Sequence, residues 1–350
     1  MRLSRLVAPG ALACALVLSA CADDAPEAPA GAVAREGTPV LSSKAQDAIT
    51  IEDQGAVSPL LGRMNASLAA SGARVRIAKA ELIVDPKTWD GTSTIIFAND
   101  RARGIGAEWV EGDPRREGRV GVSYAFDLAG RRPVVRSAAG GFRLATFAEV
   151  ETELERGMTA WRDETCSDAP ISRVAVPTGV DPDFIDDLFN GAPEVPGRTY
   201  AQVSDIVQAG WQPLSFFQAF AGSAGANILG VAFTLVFVDD AGELTDIDRD
   251  GNDDTGLVEI FYTTNYLWTS VPDPTAIDFN WVITHETGHG LGLAHFGKLF
   301  VTRKGASDGI QLADVKYAPR ALMNAAYVDG AGAILGTDRS SFCQIWASKN

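Results

Sequence analysis

All three histidines of the chain fall within one eleven-residue run, His285-Glu286-Thr287-Gly288-His289-Gly290-Leu291-Gly292-Leu293-Ala294-His295. The run reads H-E-x-x-H-x-x-G-x-x-H. On a helix, His285 and His289 stand one turn apart on the same face, so two imidazole nitrogens can reach one ion. Glu286 borders that face without having to bind the ion. It is placed to act as general base on a metal-bound water. Gly292 tolerates the left-handed conformation that ends a helix, and such a turn brings His295 back as third ligand. Three neutral imidazoles with a fourth position open describe a catalytic zinc site rather than a closed structural one. A bare H-E-x-x-H also arises by chance on core helices. Here Gly292 and His295 stand at the required offsets, and no other histidine competes.

The flanking residues must position this run. Phe279, Val282, Ile283 and Glu286 follow helical spacing, and Asp278 is the expected N-cap. Downstream lies Ala321-Leu322-Met323-Asn324-Ala325-Ala326-Tyr327, with Met323 placed 28 residues after His295. With these residues the chain resembles the metzincin metallopeptidases, whose extended zinc motif is followed by a methionine-containing turn beneath the metal. Asp278 and the Gly290-Leu291-Gly292-Leu293 run look most like the matrixin branch. The resemblance implies an α+β fold: a twisted mixed sheet, two main helices, a zinc cleft, a Met323 turn and a C-terminal helix. It implies zinc held by His285, His289 and His295, catalysis by Glu286, and a floor shaped by Met323. The chain departs from the matrixin pattern in several places. Phe296-Gly297 follows the third ligand where serine is common. Tyr327 is too far from Met323 to match the tyrosine ligand of other branches. No histidine remains for a second, structural zinc, and no cysteine switch is visible.

Before the zinc helix, Leu60 to Ala70 is a helix candidate, and Arg74 to Val84 and Thr92 to Ala98 are strand candidates. Trp109 to Arg119 is turn-rich and a fair boundary. Val120 to Leu128 alternates like a strand. Phe147, Val150, Leu154, Met158 and Trp161 mark an amphipathic helix. Ser204 to Val207, Asn227 to Val238 and Val258 to Trp268 read as strands, and Ser341 to Ala347 as a last helix. Strand Val258 to Trp268 is expected to pair with an extended substrate.

Between two of these strands, Asp246, Asp248, Asp250 and Asp254 place oxygens like the first part of a calcium-binding EF-hand loop, around Gly251. Position 12 is Leu257, not glutamate, and Glu259 is out of register but within swinging reach. A solvated acidic turn is the competing reading. Calcium also often stabilises matrixin domains, so the resemblance favours a second cofactor there.

The N-terminus reads as an export signal: Arg2 and Arg5, then a mostly apolar Leu6 to Leu18, too short to span a bilayer. Leu18-Ser19-Ala20-Cys21 resembles a bacterial lipobox, with Cys21 lipidated after cleavage. Ala22 follows, so the outer membrane is favoured in a Gram-negative source. The organisation expected is a signal peptide at 1–20, a flexible tether at 21–46, a small N-terminal region or prosegment at 47–115, and the zinc peptidase domain at 116–350. Cleavage discards Cys14, and lipidation uses Cys21. Cys166 and Cys343 remain, and in an exported chain such a pair usually forms a disulfide.

The net charge of −15 argues against nucleic acid and anionic membrane surfaces as partners. The basic runs Arg115-Arg116 and Arg131-Arg132 are expected in solvated loops. The function expected is a membrane-anchored zinc endopeptidase acting on peptide or protein substrates. The alternatives are a zinc-dependent hydrolase of non-peptide amides and a zinc-binding lipoprotein with an adhesive role.

Overall fold

The computed structural model describes residues 33–34, 58–85, 95–97, 107–137, 140–167, 170–190, 199–302, 315–327 and 333–346. The export signal, Cys21 and the tether lie outside the described residues, apart from a two-residue strand at Val33–Ala34.

Helix α1 (Ser58–Ala70) leads into strand β1 (Val75–Val84) and a short β2 (Ile95–Phe97). Next come β3 (Val122–Phe126), α2 (Phe147–Arg162) and β4 (Ile171–Arg173). They are followed by α3 (Ile185–Asn190), β5 (Ile206–Gln212), α4 (Leu214–Ala221), β6 (Ile228–Phe237) and β7 (Asp253–Thr263). The described chain ends with α5 (Phe279–Gly290) and α6 (Gly336–Trp346). The strands join one mixed sheet in the order β2-β1-β6-β7-β5-β3-β4, giving an α+β fold. Ala107–Glu108 pairs with the start of β7 outside that path.

Strands β7, β5, β3 and β4 run parallel, as strands joined by helical crossovers must. Strand β6 runs antiparallel to β7, and β1 antiparallel to β6 over nine residue pairs. Helices cover both faces, which is why β6 reads as an apolar run interrupted only by Thr234, Ile-Leu-Gly-Val-Ala-Phe-Thr-Leu-Val-Phe, buried throughout. On one face α2 and α5 pack through Leu154, Met158, Trp161, Val282 and Ile283 against Tyr124, Ile206, Val258 and Ile260. On the other, α1, α3 and α4 cover Phe233, Leu257 and Phe261, with Phe216, Phe217 and Phe220 at the centre.

Helix α2 starts at a capping box: Thr146 accepts from the Glu149 N–H, and the Glu149 carboxylate accepts from the Thr146 N–H. Its apolar face is as spaced in the sequence, except that Phe147 is exposed and lies under the Arg132 guanidinium.

Four sequence expectations require correction. The strand expected over 258–268 is β7, which begins in the acidic segment at Asp253 and ends at Thr263. A separate strand, Leu267–Thr269, follows after the chain turns and the Trp268 indole donates to the Thr263 carbonyl. Strand β7 is flanked by β5 and β6, so its backbone edges are already paired and it cannot add a substrate strand. The last helix begins earlier than expected, at Gly336, because Asp338 in its first turn accepts buried backbone N–H groups. Arg115 and Arg116 are not solvated. Arg116 is buried and donates to Asp205 and to the carbonyls of Val110 and Gly121, while Arg115 bridges Asp113 and Asp254.

Candidate metal centre

Asp278 caps α5, its side chain accepting from the Trp281 N–H. The helix stops at Gly290. Gly292 has φ +88°, a conformation that costs glycine little, and the Leu293 N–H returns to the Gly288 carbonyl. This reversal brings His295 beside His285 and His289. Indole N–H groups satisfy carbonyls along the helix: Trp161 donates to Thr284, Trp109 to Gly290 and Trp346 to Leu291. The helix end that carries the ligands is therefore clamped from three parts of the chain.

The three Nε2 atoms converge. His285 Nε2 lies 3.1 Å from those of His289 and His295, which are 3.0 Å from each other. His285 Nδ1 lies 2.7 Å from the Leu322 carbonyl oxygen and His289 Nδ1 lies 2.8 Å from that of Leu293. A carbonyl can only accept, so these two Nδ1 atoms carry the protons and the Nε2 lone pairs point inward. Lone pairs this close repel one another unless a cation sits among them. Four-coordinate zinc with bonds of about 2.0–2.1 Å spaces its ligand nitrogens roughly 3.3 Å apart, close to what is seen. The residues present fit the metal.

Burial holds the triad neutral, as ligands must be. The His285 pKa falls to about 4 through desolvation, which the Leu322 carbonyl and Glu81 oppose. His289 and His295 are pushed well below their usual value, again by burial first and then by neighbouring imidazoles. Glu286 is fully buried and lifted well above the carboxylate range by desolvation and by the Glu81 charge. The Ile83 backbone N–H opposes that rise, but neither carboxylate oxygen completes a well-formed hydrogen bond among the described residues. Its carboxyl group lies against Gly230 of β6, where a Cβ would stand 2.6 Å from Oε1.

Below the triad, Met323 is fully buried, and a Cβ on Gly288 would lie 2.4 Å from its Sδ. The turn carrying Met323 is held by Asp338, whose carboxylate accepts from the backbone N–H groups of Leu322, Met323 and Leu335. Asn324 closes the same turn, accepting from the Ala321 N–H and donating to the Phe296 carbonyl. A Cys166–Cys343 disulfide joins α6 to the residues after α2. Gln208 of β5 reaches up to Thr287 and accepts from the Tyr262 hydroxyl, tying the sheet to the helix.

Three residues at this centre were not singled out in the sequence. Asp338 and Gln208 carry no local signal, because their partners are far away in the chain. Glu81 sits on β1 with its Oε2 3.5 Å from His289 Nδ1 and 2.7 Å from Lys79 Nζ, and both residues are buried. Alternation within a strand predicts only that Lys79 and Glu81 share a face.

The acidic loop between β6 and β7 behaves differently from expectation. Asp246, Asp248 and Asp254 bring one oxygen each within 4.8 Å of one another, but Asp250 groups instead with Asp248 and Glu108. Asp254 is also engaged by Arg115 and the Ile247 N–H, and Asp246 accepts from the N–H groups of Asp250 and Gly251. Glu259 does not swing in. It points to the opposite face of the sheet and accepts from the N–H groups of Phe184 and Ile185. The four aspartates thus do not form one ligand set.

No protein-family model matches this sequence, and no curated protein matches it.

Proposed function

We propose that this protein is a zinc-dependent endopeptidase of metzincin type, exported and held to a membrane through a lipid on Cys21. The convergence of three Nε2 atoms beside the buried carboxyl group of Glu286 carries the reading. The order of elements supports it: strand β3, helix α2, an antiparallel β6 beside β7, the histidine helix α5, the Met323 turn and the closing α6.

Zinc held by His285, His289 and His295 would supply Lewis acidity, lowering the pKa of a water to roughly 7 and polarising a carbonyl. The cation's charge would favour the ionised form of Glu286, which then takes the proton from the attacking water and passes it to the leaving amine. The Leu322 and Leu293 carbonyls keep His285 and His289 in the tautomer that offers Nε2. Met323 packs under Gly288 and holds the floor without ligating.

Cuts in a diverse peptide mixture, mapped by mass spectrometry, test this reading directly. The zinc-loaded chain is expected to cut, and Glu286→Ala to lose about 10²–10⁴-fold in rate while keeping one zinc per chain. Undiminished cutting by Glu286→Ala would remove Glu286 from the mechanism. Loss of zinc with loss of Glu286 would make it a structural rather than a chemical residue.

A further inference from the structure

Away from the histidines, four aspartates are buried together. Asp127 follows the end of β3, Asp181 and Asp183 come just before α3, and Asp186 stands in its first turn. Each is 5% exposed or less. Asp127, Asp181 and Asp183 bring one oxygen each within 4.8 Å of one another. Glu259, on the sheet face turned away from the triad, borders the same group. Its charge acts on Asp183, and the charges of Asp181 and Asp186 act on it.

Carboxylates taken out of water this close together repel one another and lose their hydration. Asp183 shows the result: burial first, then Asp181, Asp186, Glu259 and Asp127, all push its pKa well up. One relief is a shared proton, and the Asp181 and Asp183 carboxyl groups do share a hydrogen bond. That proton serves one oxygen of Asp183 only. The other, Oδ2, reaches no hydrogen-bond partner among the described residues, although Asp183 is only 1% exposed. A buried acceptor left unsatisfied costs stability. A cation among the three aspartates relieves the repulsion and satisfies the bare oxygen together. The acidic loop at 246–254 makes no such demand, because Asp248 and Asp250 are exposed to water.

We propose that Asp127, Asp181 and Asp183 bind a calcium ion, at a site separate from both the histidine triad and the 246–254 loop. A donor set made only of carboxylate oxygens selects a hard cation. Calcium takes oxygens at about 2.3–2.6 Å in irregular geometry, so one ion reaches across the observed span. Magnesium, with bonds of about 2.0–2.1 Å and a shell that keeps several waters, suits a buried site poorly. Glu259 stays outside the ligand set, since its carboxylate accepts from the Phe184 and Ile185 N–H groups. It adds negative charge beside the ion. The ion fastens the segment ahead of α3 to the end of β3. The Asp127 N–H donates to the Gln208 carbonyl, and the Gln208 amide donates to Thr287 of α5, so the site adjoins the strand that braces the histidine helix.

The test uses the zinc-loaded full chain freed of calcium. It is titrated with calcium chloride in a calorimeter and melted with and without the ion. At least one calcium per chain should bind. The Tm should rise by about 5–10 °C at a calcium concentration about a hundredfold above the Kd. Asp183→Asn should bind one calcium fewer than the parent and lose most of that rise, with zinc content unchanged. Asp127→Asn should behave alike, and it stands in if Asp183→Asn does not fold. Asp248→Asn should keep the ion that these variants lose. A parent that binds no calcium at about 10 mM would overturn the proposal, because even weak protein sites bind near 1 mM. So would equal calcium binding by the parent, Asp127→Asn and Asp183→Asn. Loss of the ion in Asp248→Asn alone would place it in the 246–254 loop and overturn the proposal as well.

Discussion

Glu286 keeps its position partly because residue 230 has no side chain. The contact is across elements, β6 to α5, and it leaves the carboxyl group no slack: a Cβ at Gly230 would meet Oε1 at 2.6 Å, Cγ at 2.8 Å and Cδ at 3.0 Å. A glutamate side chain can yield, so Gly230→Ala should fold and should displace the carboxylate. A shift of about 1 Å in a catalytic group costs on the order of 10²-fold in rate. Gly230→Ala is therefore expected to lose about that much in kcat with zinc content unchanged. Unaltered kcat, measured beside metal analysis, would mean that Glu286 does not need this placement. Asp338 acts on the same centre at one remove. It is buried and its pKa is raised by burial, which four backbone N–H groups oppose, its own among them, and those of Leu322, Met323 and Leu335 make it the acceptor that holds the turn below the triad.

At the scale of elements, the triad depends on how closely α2 and α5 pack. Gly157 of α2 faces Ile283 and Thr284 of α5, and a Cβ there would stand 2.4 Å from Ile283 Cγ2 and 3.3 Å from two α5 backbone atoms. Alanine would gain up to about 1 kcal/mol in helix propensity. Overpacking a rigid contact costs about 1–3 kcal/mol. Gly157→Ala should be net destabilised by up to about 2 kcal/mol in urea unfolding, and a variant more stable than the parent would contradict the close approach. Local patterns were enough to read these elements. The 3.6-residue spacing of Val150, Leu154, Met158 and Trp161 marked α2. The apolar run of β6 and the histidine spacing on α5 were equally local. What could not be read was who pairs with whom. The expectation that the strand after Val258 receives substrate failed because β7 lies between two neighbours, a fact of sheet order. Arg116 looked solvated because its partners, Asp205 and the Val110 and Gly121 carbonyls, are gathered only by folding. The pairing of β1 with β6, more than a hundred residues away, left no local trace.

Across the whole molecule, the segments that build the centre come from distant parts of the chain, and one covalent link closes them. Cys166 and Cys343 are 177 residues apart in sequence and 5.5 Å apart at Cα. That loop encloses β5, β6, β7, α5 and the Met323 turn. Closing it removes freedom from the unfolded chain worth on the order of 5 kcal/mol in the entropy model. The link also sets α6, and α6 carries Asp338 under the turn and Trp346 against the Leu291 carbonyl. Reduction should therefore act on stability and on the metal together. The reduced protein is expected to unfold at lower urea concentration and to release zinc to a chelator faster than the oxidised one, before global unfolding. A chain reduced at both cysteines that keeps its urea midpoint and its zinc release rate would show that packing of Phe342 and Trp161 alone holds α6 in place. Slower folding with unchanged zinc release would confine the link to the unfolded state and detach it from the centre.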